Sequence, residues 1–367
     1  MRQEAPDSVS TALNRLIATA IARNGGWLPF DRFMALALYA PGLGYYAHGS
    51  RKFGLFPASG SDFVTAPELS PHFGLALARQ VRQALDACAC DEVWEFGAGS
   101  GALAAQLLDA LGERVRRYAI VDVSGALRAR QRERLAGNAT RVRWVDVLPD
   151  ALAGVVLGNE VLDAMPVQLL HRDADRWLER GVVVQGDGFA FADRPTALRP
   201  PADVVTALGA GSTIEVHRQA HAFVATLGER LSRGAAFFID YGFPEAEYYH
   251  PQRSGGTLMC HRAHRADSDP LSDVGAKDIT AHVDFTGIAL AAQGVGMTVI
   301  GYTSQARFLL NCGILDGLEG AGPVEIARAQ KLLNEHEMGE LFKVIGFAKG
   351  CDFEPIGFAS GDRRHRL

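Results

Sequence analysis

The chain has 367 residues, enough for one large domain or two modest ones with a substantial core. Its 48% hydrophobic content, 40 glycines and formal charge of −5 describe an ordinary globular α/β composition. There is no basic excess to suggest nucleic acid, and no apolar run reaches membrane-spanning length. The first ten residues are polar and lack the apolar centre of a signal peptide. Cys88, Cys90, Cys260, Cys312 and Cys351 are odd in number, and none stand at zinc-site spacing. Free thiols in a reducing cytoplasm and no bound metal are therefore expected.

Apolar residues at helical spacing predict a first helix over 10–23, ending at Asn24-Gly25-Gly26. A second helix opens near Pro29 and stops before Pro41-Gly42. Residues 42–61, rich in glycine and aromatics, read as a loop, and a helix follows over 71–87. Strands near 92–96, 117–121, 141–145 and 154–158 then alternate with helices, which implies a parallel sheet. The rhythm breaks over 167–216, where Val167–His171 and Arg180–Gln185 look like antiparallel strands and Asp187-Gly188 marks a hairpin turn. Residues 194–203 read as a Pro-rich linker. A helix at 217–232 and a strand at 235–240 restore the α/β pattern. Residues 255–283 read as a polar loop. A helix over 285–293, a strand over 297–302, helices near 304–312 and 323–336 and a strand over 343–348 complete the chain.

One turn carries most of the chemical information. Val93-Trp94-Glu95-Phe96 is a buried strand ending in a carboxylate, and Gly97, Gly99 and Gly101 lead into the helical segment from Ala102. Glycines at a strand-to-helix turn let the backbone approach a ligand and set that ligand at a helix N-terminus. The spacing also satisfies a dinucleotide fingerprint, so a dehydrogenase is an alternative. Glu95 opposes it: a carboxylate there suits the ammonium of a methionine and disfavours a pyrophosphate. Asp122 ends the next strand, placed for ribose hydroxyls, and Asp146 ends the one after, placed for an adenine amino group. Acids at three successive strand ends suit a nucleoside without phosphates, namely S-adenosylmethionine. Val123 and Val147, next to these acids, join the candidate cofactor site.

Four segments together resemble the MidA-like family of S-adenosylmethionine-dependent methyltransferases: residues 60–70, 95–101, 158–166 and 278–285. Asp240-Tyr241-Gly242 and Gly256–Cys260 add to the likeness, which extends from about 12 to 350. That family includes a mitochondrial complex I assembly protein that methylates an arginine of a respiratory-chain subunit. The resemblance implies an α/β, Rossmann-like seven-strand class I methyltransferase fold with an N-terminal helical extension and an inserted antiparallel and helical substrate region. It divides the chain into a helical and lid segment (1–87), a cofactor core (88–166), an insertion (167–234) and the remaining core (235–367) with a substrate loop at 255–285.

Phe63, Thr65 and Pro67 have the chemistry of a lid over the methionine part of the cofactor, while Ser70 and Pro71 could equally do no more than start the next helix. Asn159-Glu160-Val161-Leu162-Asp163 follows the fourth strand, at the sheet edge where α/β ligands bind. A guanidinium is always protonated and presents a planar fork of donors, which Glu160 and Asp163 could hold. The placement is similar to the glutamate loop of protein arginine methyltransferases, whose type II members begin it Ser-Glu-Leu-Leu. The second glutamate of that loop is missing, and Met165-Pro166 stands in the way, so Asp163 is a proposed substitute. His282 is a candidate base, whereas Asp284 reads as a helix cap. His261, His264, Arg262 and Arg265 make a basic polar loop and not a metal site. The expected activity is arginine methylation of a partner protein; a small-metabolite methyltransferase and a cofactor-binding assembly factor with little catalysis are the alternatives.

Overall fold

The structure, a computed structural model, describes residues 6–47, 65–201, 204, 208–262 and 265–367. The chain opens with α1 (Pro6–Arg23), β1 (Leu28–Pro29), α2 (Phe30–Tyr39), α3 (Ala66–Leu69) and α4 (Pro71–Ala87). An alternating stretch follows: β2 (Glu92–Phe96), α5 (Ala102–Leu111), β3 (Arg117–Val121), α6 (Gly125–Arg134), β4 (Val142–Val145) and β5 (Leu152–Asn159). Next come β6 (Gln168–Asp173), β7 (Arg176–Gln185), β8 (Gly188–Pro195), β9 (Thr213–Val216), α7 (Arg218–Arg230) and β10 (Leu231–Phe243). After α8 (Glu245–Tyr248) lie β11 (Met259–Arg262), β12 (Arg265–Asp267), β13 (Asp278–Thr280), β14 (Val283–Asp284) and α9 (Phe285–Gln293). The chain closes with β15 (Thr298–Ser304), α10 (Gln305–Asn311), α11 (Pro323–Leu333), α12 (Met338–Leu341) and β16 (Phe342–Lys349).

The central sheet is mixed, in the order β15-β16-β10-β5-β2-β3-β4, with short β14 alongside β10. β10, β5, β2, β3 and β4 are parallel to their neighbours, while β16 is antiparallel to both β10 and β15. A sheet covered on both faces needs strands that are apolar on both sides. β10 meets this residue by residue: Ala235, Phe237 and Ile239 enter one core, Ala236 and Phe238 the other. The first core is covered by Phe73, Leu77 and Val81 of α4 and by Leu103 and Leu107 of α5. Val224 and Leu227 of α7 and Phe285 and Ile288 of α9 cover the second.

A smaller antiparallel sheet, β1-β7-β6-β9 with β8 on β7, occupies the stretch where the α/β rhythm breaks. Its β7–β8 hairpin pairs Gln185 with Gly188 across the expected turn. Leu13, Ile17 and Ile21 of α1 and Phe33 and Met34 of α2 bury against Leu169 and Val182 of this sheet, and the same core takes in Cys260 and Ile279. The N-terminal helices thus roof the inserted sheet, and α2 faces the active end of the central one.

Ser70 caps α4 by accepting from the His72 amide, with Pro71 at the first helical position. Asp284 caps α9 through the Gly287 amide at 3.1 Å. Two expectations change. Residues 255–283 are not simply a loop: β11 pairs with both β12 and β13 in a three-stranded sheet. Its strands are short and polar outside, and its buried anchors Cys260 and Ile279 share a core with distant segments such as α1 and α2. Nor are all thiols free: Cys88 at the end of α4 is bonded to Cys351 just beyond β16, while Cys90, Cys260 and Cys312 are free and buried.

Where β5 and β10 begin, they approach each other and β2 too closely for any side chain. Gly234 has φ +153°, and a Cβ there would stand 1.9 Å from the Gly154 carbonyl oxygen. That oxygen belongs to the central ladder and has nowhere to move. Gly234→Ala should therefore lower unfolding free energy by about 3 kcal/mol or more, read by urea denaturation. An unchanged midpoint would show that the two strands can part here without loss.

Candidate active site

The carboxyl ends of β2, β3, β5 and β10 open onto a cavity of about 930 Å³, at the point where the order of parallel strands reverses. Glu95, Gly97, Gly99, Asp122, Val123, Asn159, Glu160 and Asp163 line it, together with Thr65 and Pro67 from the segment leading into α4.

At one end stands the glycine turn. Gly97, Gly99 and Gly101 all have positive φ, at 62°, 53° and 82°. A Cβ on Gly97 would meet the Val161 side chain at 2.9 Å, so the turn also packs against the loop after β5. Glu95 is only 2% exposed and accepts from the Tyr118 hydroxyl at 2.6 Å. Burial pushes its carboxyl up to about 7 against that hydrogen bond, with the charge of Asp122 adding to the rise. Asp122 accepts the Ser124 amide at 2.9 Å and Gln131 Nε2 at 2.8 Å, and the same Gln131 nitrogen donates to the Gly99 carbonyl at 2.9 Å. Gln131 thereby ties the glycine turn to the acid of the next strand. Glu68 and Ser100 are hydrogen-bonded to each other and both bind Arg134, so α3 is fastened to the same turn.

At the other end the chain leaves β5 in an unusual conformation. Glu160 has φ +54°, a left-handed backbone that a non-glycine residue holds only when its surroundings impose it. Here the Glu160 amide donates to Ile239 of β10 at 2.9 Å. The next three amides, Val161, Leu162 and Asp163, all point at Asp240 Oδ2, at 3.1, 2.9 and 3.3 Å. Glu160 Oε1 accepts from Asn159 Nδ2 at 3.0 Å. Burial, with help from the charge of Asp163, pushes the Glu160 carboxyl up to about 8. Asp163 is 4% exposed, accepts the Tyr241 hydroxyl on Oδ2, and among the described residues its Oδ1 has no hydrogen-bond partner. Burial raises its carboxyl to about 6. Asp240 is raised by burial and by the charges of Asp163 and Glu160, against the amides that donate to it.

The remaining wall comes from far away in the chain. Tyr39 of α2 donates to the Ala164 carbonyl at 2.8 Å and stacks on Tyr46, with ring centroids 5.5 Å apart. Tyr46 donates to Asp278 Oδ2 at 2.8 Å. The His282 ring sits 5.3 Å from the rings of both Tyr241 and Phe243. Burial lowers its pKa to about 4, and the charges of Arg253 and Lys343 push the same way, so the ring is neutral at pH 7. Among the described residues its Nδ1 has no partner.

Of the residues singled out from sequence, Phe63 and His264 lie outside the described residues. Gly101 serves as the left-handed cap of α5, behind the lining. Asp146 and Val147 are also absent from the lining: the Asp146 side chain is 79% exposed and ion-paired with Arg128. β4 is the edge strand, so its end projects into solvent, where Arg128 from α6 meets it. His261 of β11 does line the cavity, while its neighbour Arg262 pairs with Asp273 at 3.1 Å. Sequence reasoning gave no site role to Asp240, Asp278, Tyr39, Tyr46 and Tyr118. Asp240 and Asp278 left a signal, since both lie in segments that carry the family likeness.

Residues 76–303 match the model of a family of S-adenosyl-L-methionine-dependent methyltransferases. A Burkholderia thailandensis protein crystallised with bound S-adenosyl-homocysteine is 53% identical, with full coverage of both chains and a TM-score of 0.95. A native structure of a superfamily member from the same organism is 51% identical, again with full coverage, at a TM-score of 0.90. Among curated proteins, the mitochondrial protein arginine methyltransferase NDUFAF7 of Danio rerio is 27% identical over 92% of this chain and 86% of its own length. The Homo sapiens protein of that name is 26% identical over 80% and 71%. With its glycine turn, buried strand-end acids and matching family model, the chain belongs to the MidA-like family and is an S-adenosylmethionine-dependent methyltransferase.

Proposed function

We propose that this methyltransferase modifies an arginine side chain of a partner protein, with the donor at the ends of β2 and β3 and the acceptor between Glu160 and Asp163. The observation that carries the acceptor is the charge of the cavity. Glu160 and Asp163 line it, and among the described residues no lysine or arginine does. Burial raises both carboxyls, a cost that a cationic ligand would offset. The named arginine methyltransferases among the relatives support the same acceptor, and the family resemblance points to a respiratory-chain subunit. The strand order, with β16 antiparallel between β10 and β15, supports a seven-strand class I methyltransferase sheet with helices added before it. On this reading the chain divides at 87, 166 and 234 as expected above. We place it in the cytoplasm, although the named relatives are mitochondrial; among the described residues no helix is long and apolar enough to cross a membrane.

The residues at the donor end fit the cofactor. Glu95 has a buried oxygen pair of which Tyr118 takes one member, leaving capacity for an ammonium, and Asp122 retains lone pairs for ribose hydroxyls. Gly97 and Gly99 bring backbone close without side chains, and Thr65, Pro67, Val123 and Asn159 complete the enclosure. Bound S-adenosylmethionine supplies an electrophilic methyl group on a positively charged sulfur. Glu160 and Asp163 accept N–H bonds from the acceptor guanidinium and turn one nitrogen toward that methyl, so positioning supplies much of the rate. As this nitrogen gains a methyl group it releases one proton, which Glu160 accepts. Neutral His282, whose Nδ1 has no partner among the described residues, is suited to pass the proton outward.

Three outcomes are expected. Gly97→Val forces a side chain against Val161 and should weaken S-adenosylmethionine binding about tenfold or more in calorimetry; undiminished affinity would remove the turn from the donor site. In a labelled-methyl assay on proteins of the native cell, one discrete protein should be marked, and Glu160→Gln should cut the rate by roughly a hundredfold to ten-thousandfold. Label confined to small molecules would favour a metabolite acceptor instead. The third concerns pH. The protonated form of Glu160 can neither hold a cation nor accept a proton, and it dominates below about 8. Accordingly kcat/KM should rise with pH toward a plateau above that value. A bound guanidinium favours the carboxylate, so the limb in kcat should lie at lower pH; a flat profile, or a fall over this range, would exclude Glu160 as the base.

A further inference from the structure

We infer that Asp278 is a third acceptor-binding carboxylate and that, with Asp163 and the Tyr39–Tyr46 stack, it makes the acceptor end selective for a planar guanidinium over an ammonium. The inference rests on the arginine reading above and names the feature that would enforce it.

Asp278 begins β13, is 3% exposed and lines the cavity. It reaches the site from a different direction than Asp163. Asp163 belongs to the loop after β5, whereas Asp278 sits on the small sheet, paired to His261 of β11. The two segments are joined where the Ala281 amide donates to the Asp163 carbonyl at 3.0 Å. Each carboxylate takes one tyrosine hydroxyl, Asp278 that of Tyr46 and Asp163 that of Tyr241. Both charges raise Tyr39 and Tyr46, and Asp278 also raises Glu160, so these groups share one electrostatic environment. Asp163 Oδ1, buried and without a partner among the described residues, is an acceptor waiting for a donor.

A guanidinium carries five N–H donors in a flat fork, so two carboxylates on separate segments can each take an edge. Its plane can also lie on an aromatic face such as the Tyr39–Tyr46 stack supplies. An ammonium presents its three donors from one compact, strongly hydrated point, so it can neither lie flat on that aromatic face nor offer two parallel edges.

The test uses the full chain saturated with S-adenosyl-homocysteine, with butylguanidine as the guanidinium probe and butylamine as the ammonium probe, both titrated calorimetrically. The wild type should prefer butylguanidine. Asp278→Asn should weaken butylguanidine roughly tenfold to a hundredfold, change butylamine much less, and leave S-adenosyl-homocysteine affinity within about twofold. With an arginine peptide the same variant should raise KM more than it lowers kcat, and Asp278→Glu should recover part of the loss. Tyr46→Phe, which keeps the acid but frees its orientation, should move selectivity in the same direction by less. Equal butylguanidine affinity in Asp278→Asn and wild type would overturn the role of Asp278 alone. Equal loss of the homocysteine ligand would assign Asp278 to the donor site. A wild type that binds neither probe, or prefers butylamine, would instead overturn the arginine reading beneath it.

Discussion

Asp240 accepts the amides of Val161, Leu162 and Asp163 on a single carboxylate oxygen, and this small knot holds the Glu160–Asp163 end of the cavity together. Three amides that have just left a strand need partners, and burying them unpaired would cost roughly 1–3 kcal/mol each. Asp240 supplies all three from the end of the neighbouring parallel strand. With the loop wound around that carboxylate, Glu160 has no choice but the left-handed backbone that turns its side chain into the cavity. The strain at Glu160 is thus imposed by hydrogen bonding one strand away, as expected where a scaffold over-determines a functional residue.

The same arrangement explains the electrostatics. Glu160, Asp163 and Asp240 stand close enough that each charge opposes the next, and burial removes the water that would screen them. Carboxylates in this position retain protons until a cation joins them. At the donor end Glu95 is raised for the same reason, by burial first and Asp122 second. Among the described residues that line the cavity none is a lysine or arginine, and a sulfonium donor would bring a positive charge of its own. The aromatic walls contribute apolar surface.

The donor half was largely legible because it is local. Glu95 to Gly101 is one strand, one turn and one helix start, and a contiguous segment carries all its chemistry. The helix caps at Ser70 and Asp284 were legible for the same reason. Asp146 shows the limit of the rule: an acid at a strand end need not line the cavity when that strand is the sheet's edge and Arg128 is within reach. The opposite end of the cavity depends on pairs such as Tyr46 with Asp278 and Tyr241 with Asp163, which local spacing cannot reveal. The β11–β13 sheet and the Cys88–Cys351 bond escaped for that reason too, since each draws on partners remote in the chain.

That asymmetry has a consequence for the order in which the protein is made. Synthesis proceeds from the N-terminus, and folding units can form as they emerge. The glycine turn and Asp122 exist as soon as residues 92–122 are out, but β5 follows only at 152–159, and β10 with its Asp240 anchor after that. Asp278 arrives later still, and only then can Tyr46, made more than two hundred residues earlier, meet its partner. A nascent or truncated chain therefore holds the glycine-turn end of the cavity well before it owns the end lined by Glu160, Asp163 and Asp278.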